Sequence, residues 1–233
     1  MKTKITLILV SIGILCSLQL LSQTTTQNRN TGTFDGISTS SGIDVIYTIG
    51  NSHSVKVEAE ASIINNIETT VENGVLVIKR KKGTSLQTRH NLVVYVTAPS
   101  LKTVSASGGA DFSAEQLISK DDIQLSASGG ADLNISKLTA NKVSINVSGG
   151  SDAEIKDLTA DSCNLNASGG ADAKIKLTST NLLANASGGA DIELKGKTEN
   201  LKINCSGGAD ADIKGLTYDK IESNASGGGD IKK

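Results

Sequence analysis

Ser107-Gly108-Gly109-Ala110-Asp111 is the stretch that decides the fold. The phrase returns, with small variation, at Ser128, Ser148, Ser168, Ser187, Ser206 and Ser226, at spacings of 21, 20, 20, 19, 19 and 20 residues. A fixed period of this length marks a repeat architecture in which each copy stacks on the one before it. Counting from each Ser as zero, positions −5, −3 and −1 are apolar, as in Ile123, Leu125 and Ala127 and again in Val143, Ile145 and Val147. Position +7 carries Ile135, Ile155, Ile175, Leu194 and Ile213, and a Leu follows at +9 or +10 in four copies (Leu138, Leu158, Leu177, Leu216). Alternation over short runs bounded by Gly means half-buried strands. The reading is an all-β chain, a parallel, right-handed β-helix (solenoid) with about 20 residues per turn.

The glycine pairs are the corners of this solenoid: Gly108 and Gly109, Gly129 and Gly130, Gly149 and Gly150, Gly169 and Gly170, Gly188 and Gly189, Gly207 and Gly208, Gly227 and Gly228. Turning a chain between two sheets calls for positive φ or close backbone approach, and Gly supplies both. The small residue at +3 agrees with a crowded inner corner. Composition agrees too. Aromatics are 2% and Pro99 is the single proline, too few to fill a globular core but enough for a narrow one filled by stacked aliphatic side chains. Cys163 falls in the −5 column and Cys205 in the −1 column, two rungs apart. That is roughly 10 Å at strand spacing, beyond disulfide reach, so both read as buried thiols.

Working back from the repeats, residues 34–233 form one β-helical domain: seven repeats over 105–233 and irregular rungs or a cap over 34–104. In the latter, Ser41-Gly42-Ile43-Asp44 is a degenerate echo of the repeat phrase, Asn73-Gly74 is a two-residue hairpin signal, and Leu92–Val96 is a buried strand ended by Pro99. Lys79–Lys82 reads as a solvated turn, and His53 and His90, the two histidines, fall in loops. The Thr/Asn/Gln-rich segment 23–33 reads as a disordered lead-in. Residues 1–22 read as a signal peptide: Lys2 and Lys4 precede an apolar run from Ile5 to Leu21, with cleavage after Ser22. The alternative is a retained anchor, since the run approaches the length that spans a bilayer. Cys16 follows Leu15, which is too large for a lipobox. The expectation is export, to the periplasm, the cell surface or the extracellular space, with no transmembrane segment in the mature chain.

Three polar ladders remain. Position −2 holds Asn146, Asn166, Asn185, Asn204 and Asn224, position 0 is Ser, and position +4 is Asp111, Asp132, Asp152, Asp172, Asp191, Asp210 and Asp230. Asn and Ser columns can hydrogen-bond up a stack; the Asn-x-Ser triplets that resemble glycosylation sequons are a by-product of the repeat. The Asp column is costlier, because unit charges one rung apart repel by about 0.9 kcal/mol even in water. Two arrangements relieve it: each carboxylate accepts N–H bonds from its own Gly-Gly-Ala corner, or cations sit between rungs. Lysines at +8 (Lys156, Lys176, Lys195, Lys214) dilute the charge, and Glu154, Lys174 and Glu193 at +6 are expected to pair across rungs. The seven aspartates are the candidate metal ligands, with calcium the ion they would take. One Asp and one Ser per rung undersupply its 6–8 oxygens, and no cofactor is expected.

A net charge of −1 gives no electrostatic case for nucleic acid. From Leu101 to Lys233 there is no Arg, His or Trp, and Tyr218 is the one Tyr. A polysaccharide lyase or hydrolase needs a local cluster of unlike groups and a sugar platform; uniform columns supply neither. No catalytic residue is assigned.

Phe34-Asp35-Gly36-Ile37, Ser41 to Val45, Val55 to Ala59, Asn73 to Ile78 and the Ser-Gly-Gly-Ala-Asp rungs together resemble the bacterial family named putative auto-transporter adhesin, head GIN domain, over about Phe34 to Ile231. The resemblance implies a β-helical envelope or secreted domain with an adhesive role and no catalytic residues. The expectation is therefore a non-enzymatic exported adhesin or structural surface module, its ligand an unknown surface glycan or protein. A cation-stabilised module built on the Asp column is the alternative, and a polysaccharide-active enzyme the next.

Overall fold

Alternating apolar residues place every second side chain on one face, and the computed structural model shows those faces closed on each other. It describes residues 24–87 and 92–233; the signal reading of residues 1–22, and His90, lie outside them. In chain order the strands are β1 (Thr24–Arg29), β2 (Gly36–Ser40), β3 (Asp44–Ile49), β4 (Ser54–Glu60), β5 (Ile67–Glu72), β6 (Val75–Arg80), β7 (Val93–Ala98), β8 (Thr103–Ser107), β9 (Phe112–Ile118) and β10 (Ile123–Ser128). Five long strands follow, β11 (Leu133–Gly149), β12 (Asp152–Gly169), β13 (Asp172–Gly188), β14 (Asp191–Gly207) and β15 (Asp210–Ala225), then β16 (Asp230–Lys232). Each long strand bends around the solenoid without losing its pairing.

Rung stacks on rung in parallel and in register, Ser128 against Ser148, Ser148 against Ser168, Ser168 against Ser187 and Ser187 against Ser206. One wall carries β6-β2-β8-β10 and the second halves of the long strands; the other carries β7-β3-β9 and their first halves. The differing repeat lengths are absorbed away from the Gly corner, where the register shifts between Ile155 and Leu158 and between Glu193 and Lys195.

The first half builds an end rather than more turns. β2 and β3, joined through Ser41-Gly42, form a rung that sits between β8–β9 on one side and β6–β7 on the other. Beyond it β5 and β4 run antiparallel to β6 and β7. The hairpin between β5 and β6 turns at Asn73 (φ 51°) and Gly74 (φ 81°), the positive pair a two-residue hairpin requires. Lys79 and Arg80 close β6 instead of forming a turn, which falls at Lys82-Gly83.

The lead-in is not disordered. Thr24–Arg29 is an edge strand, antiparallel to β4 from Thr24 opposite Glu60 to Arg29 opposite Val55. Its polar sequence hid it: main-chain bonds hold it, with Arg29 Nη2 donating to the Ile64 carbonyl at 2.8 Å, and it adds no apolar side chain to the core. At the opposite end the inward positions also change character. Ser223 stands in the −3 column and Lys233 in the +7 column; both are exposed on this end rung, and Lys233 Nζ donates to Ser223 Oγ at 3.0 Å.

The core is a continuous aliphatic column in which Leu125, Ile145, Leu165 and Ile203 are fully buried. Four of the five aromatics lie in the N-terminal rungs, with Tyr218 on β15 the exception; Tyr47 stacks near Phe112 with ring centroids 6.2 Å apart. Cys163 and Cys205 are buried and unbridged.

The corners come in two forms. Ser41-Gly42, Gly108-Gly109 and Gly129-Gly130 have both residues at positive φ, whereas from Gly149 onward only the first glycine does. In the later form the second glycine's N–H donates to the first glycine's carbonyl in the preceding rung, as Gly170 does to Gly149 at 2.8 Å and Gly189 to Gly169 at 2.7 Å. At the junction, the N–H groups of Gly130 and Ala131 find no such carbonyl. Ser151 Oγ accepts both, each at 3.2 Å. Ser151 is fully buried, and it is the one serine in a +3 column otherwise made of Ala and a terminal Gly.

Two expectations follow. Ser151→Ala leaves the buried Ala131 N–H and the part-buried Gly130 N–H without this partner, so unfolding in urea should show a loss of about 1–3 kcal/mol, whereas Ala171→Ser, in the same column without the junction, should bring no gain. Gly149→Ala forces a side chain to φ 81° with its Cβ 3.3 Å from the Gly129 nitrogen, while a Cβ on Gly150 meets nothing within 4 Å. The first should destabilise by about 1 kcal/mol or more, and the second should be neutral or slightly stabilising in the same melts.

Candidate functional site

Among the described residues, His53, Tyr47 and Cys163 are committed to structure. His53 Nε2 lies 2.8 Å from the Phe34 carbonyl and its ring packs edge-on against Phe34. Tyr47 is buried and donates to the Ala98 carbonyl at 2.8 Å, and burial pushes its hydroxyl up to about 12. Burial likewise pushes the Cys163 thiol up to about 12, so it is neither thiolate nor nucleophile at neutral pH. Among the described residues no three His, Cys, Asp or Glu side chains converge as a metal site.

What the solenoid does present is columns. On the wall before each Gly corner, Asn166 donates to Asn146 at 3.0 Å, Asn185 to Asn166 at 2.9 Å and Asn204 to Asn185 at 2.9 Å. Asn200 joins Asn181 in a parallel column at 3.1 Å. These amides form a hydrogen-bonded ladder, as the Asn repeat implied.

On the wall after the corner, the aspartate column divides in two. Asp111 N–H donates to Asp44 Oδ1 at 3.1 Å, Asp132 N–H to Asp111 Oδ1 at 3.1 Å, and Asp152 N–H to Asp132 Oδ1 at 3.2 Å. The carboxylates of Asp44, Asp111 and Asp132 thus accept from the next rung's backbone and not from their own corner. Asp44 is the first member of the column, a member the sequence signalled through the Ser41-Gly42-Ile43-Asp44 echo. From Asp172 on, the Asp N–H turns to a main-chain carbonyl of the preceding rung, Ser151 for Asp172 and Ala171 for Asp191. The carboxylates of Asp152, Asp172 and Asp191 are left without a hydrogen bond or ion pair among the described residues, and Asp210 meets Lys232 Nζ at 3.0 Å. At +6, Glu154, Lys174 and Glu193 face each other across rungs without the ion pairs expected of them; Glu193 instead pairs with Lys195 on its own strand. None of the +8 lysines reaches the aspartates.

The same wall carries a shallow groove of about 390 Å³ past Ile46, Ser113, Glu115, Asn134 and Lys156. Ile46, 40% exposed, is the large apolar side chain most open to solvent among the described residues. The groove floor is the outer face of the sheet.

Burial raises the carboxyls of Asp44, Asp111 and Asp132 above the ordinary value of 3.8. The backbone bond each accepts pulls the other way, and for Asp111 and Asp132 the neighbouring carboxylates add to the rise. The folded state therefore binds these protons more tightly than the unfolded chain. The stability they contribute is full below 3.8 and is lost as pH climbs through the raised folded values. Asp132→Asn keeps the Oδ1 acceptor for Asp152 and removes the charge. It should raise Tm at pH 7 by about 1–3 °C and flatten the rise of Tm on acidification toward pH 4. A lower Tm at pH 7 would mean that the charge itself is needed.

Comparison with known proteins matches this geometry to a family. The family model described as putative auto-transporter adhesin, head GIN domain, matches residues 33–156 and 143–232. A putative adhesin from Bacteroides fragilis NCTC 9343 has the same fold, with a TM-score of 0.79 at 19% identity over 90% of this chain and 96% of its own. A putative adhesin from Parabacteroides distasonis ATCC 8503 gives 0.72 at 18% identity, over 91% and 98%. A protein from the same strain titled a putative lipid binding protein gives 0.58 at 18%, over 90% and 96%. No curated protein matches the chain. With the matched segments running from 33 to 232 of 233 residues, the chain belongs to the family of the putative auto-transporter adhesin, head GIN domain.

Proposed function

We propose that the protein is an exported, non-enzymatic adhesin or structural surface module that engages a surface glycan or protein with the flat walls of its solenoid. One observation carries the reading: each outward column repeats one chemistry over several rungs, amide at Asn146–Asn204 and carboxylate at Asp111–Asp230. An active site breaks symmetry by bringing unlike groups to one point. A repeating wall instead offers the same weak contact many times, and multivalent contact is how an adhesin gains strength. The basic and apolar N-terminal segment supports export. Family membership supports the adhesive role, and the lipid-binding title of one structural relative keeps a lipid among the surfaces worth testing.

The module needs no metal in this reading, because the first three carboxylates are already served by backbone N–H groups and the others stand apart in a column. The test is a panel of glycans, matrix proteins and lipid vesicles presented to residues 24–233, with melts in calcium and in chelator alongside. Saturable binding to one class, no release of reducing ends or unsaturated products, and an unchanged Tm are expected. A Tm shift of several degrees with calcium would replace this reading by a cation-stabilised module, and product release by an enzyme.

A further inference from the structure

The wall after the Gly corner carries two unlike charged columns on the same rungs. At +4 stand Asp152, Asp172 and Asp191, and at +8 stand Lys156, Lys176, Lys195 and Lys214. Both positions face outward, because they share the parity opposite to the buried +5 and +7 residues. Four residues of extended chain separate them by roughly 13 Å, too far to pair within a rung. The side chains of Lys156, Lys176 and Lys214 form no hydrogen bond or ion pair among the described residues, and neither do the carboxylates of Asp152, Asp172 and Asp191; of the four lysines, only the Lys195 side chain is engaged, by Glu193. On the earlier rungs, where +8 is Glu115 and Ser136, the Asp carboxylates are instead tied to the backbone. Free aspartate and lysine side chains thus share these rungs.

The aspartates repel one another at the rung spacing of about 4.8 Å, and so do Lys176 and Lys195, which lie directly against each other, while Lys156 and Lys214 sit in the register shifts on either side of them. A partner that relieved both would need a negative and a positive row with that same spacing, set a matching distance apart. A second copy of this wall has them by construction. Turning one copy by half a turn about an axis parallel to the stack brings its Asp column against the other's lysines on both seams, in register at Lys176 and Lys195 and offset at Lys156 and Lys214, where the strands shift register. We propose that two copies of this protein dock face to face through this wall. The central +6 column bears on the register: a one-rung stagger sets Glu154 against Lys174, Lys174 against Glu193 and Asp212 against Lys232 of the second copy. Glu193 against Asp212 is then the like-charge meeting. The four rungs involved cover roughly 300 Å² per copy at strand dimensions, which places the contact among weak, transient interfaces. With no apolar side chain at +4, +6 or +8 on these rungs, the association is electrostatic and falls with salt. It gains strength where many copies are held at one surface. The inference goes beyond the adhesin reading, names a second copy as partner, and stands even if no foreign ligand is found.

Sedimentation of residues 24–233 tests it. Self-association that follows mass action in low salt and disappears at high salt is expected. The double variant Lys156→Glu/Lys176→Glu should weaken it tenfold or more, and so should Asp152→Lys/Asp172→Lys. Mixing the two should restore association at or above the original strength, because both seams are then complementary. Lys142→Glu/Lys220→Glu carries the same net charge change on the Asn wall and should associate as the parent does. A chain that stays monomeric in low salt at high concentration overturns the proposal. So does a Lys142/Lys220 control as damaging as the Lys156/Lys176 pair, or a mixture that fails to associate when melts show both variants folded.

Discussion

The parallel backbone ladder between rungs is the interaction on which everything else in this molecule rests. Because Ser148 lies against Ser168 and Asn146 against Asn166, every residue has its counterpart about 4.8 Å above and below it, and any side chain chosen once per repeat becomes a column. Inside, that makes a core of stacked Leu, Ile, Val and Ala that needs few aromatics. Outside, it turns modest residues into ladders: an amide that would be unremarkable alone becomes one link of the Asn146–Asn204 chain. The register must survive repeats of 19 to 21 residues. It does so because the extra residues are taken up between Ile118 and Ile123, between Ile155 and Leu158, and between Asp212 and Gly215, leaving the Gly corners aligned.

The same ladder explains why a repeated phrase need not mean a repeated structure. Gly108-Gly109 and Gly169-Gly170 read alike, yet both glycines take positive φ in the first pair and only one does in the second. The second form satisfies its corner N–H through the preceding rung, and each corner of that form presents the carbonyl that the next one needs. A form once adopted therefore propagates, and the switch between forms must be repaired at a single place. Ser151 makes that repair with one hydroxyl. The Asp column changes with the switch, accepting backbone N–H groups before it and standing free after it.

Much of this was legible in the sequence, and the parts that were not share a physical cause. Period and alternation show directly as residue types, so the solenoid, its corners, the Asn73-Gly74 hairpin and the buried cysteines could be read. β1 could not, because Thr24–Arg29 is held by main-chain bonds, which leave no mark in side-chain pattern. The placement of β6–β7 beyond β2–β3 is a choice among long-range pairings that local pattern does not encode. Asp44 was half legible: the echo at Ser41–Asp44 was visible, but its place at the head of the Asp column depended on β3 lying beside β9. The partners of the charged columns were misjudged because position says which side chains are neighbours and not whether their ends meet.

That distinction bears on function. A carboxylate whose lone pairs are taken by the next rung's N–H belongs to the fold, and Asp44, Asp111 and Asp132 answer to that description. A carboxylate or ammonium on the same rigid lattice without a partner belongs to whatever the surface meets. The lattice holds Asp152, Asp172 and Asp191 at fixed spacing, with Lys156, Lys176 and Lys214 beside them on the same rungs, so any selectivity such a wall has comes from geometry and not from the depth of a pocket. Each exposed charge pair contributes at most about 1 kcal/mol, and a flat wall of them binds little as a single contact. It binds usefully only through repetition, first along the rungs of one molecule and then across molecules at a surface. A solenoid supplies the first of these through its own repeat, which is how a flat wall can bind specifically without a cleft of unlike groups.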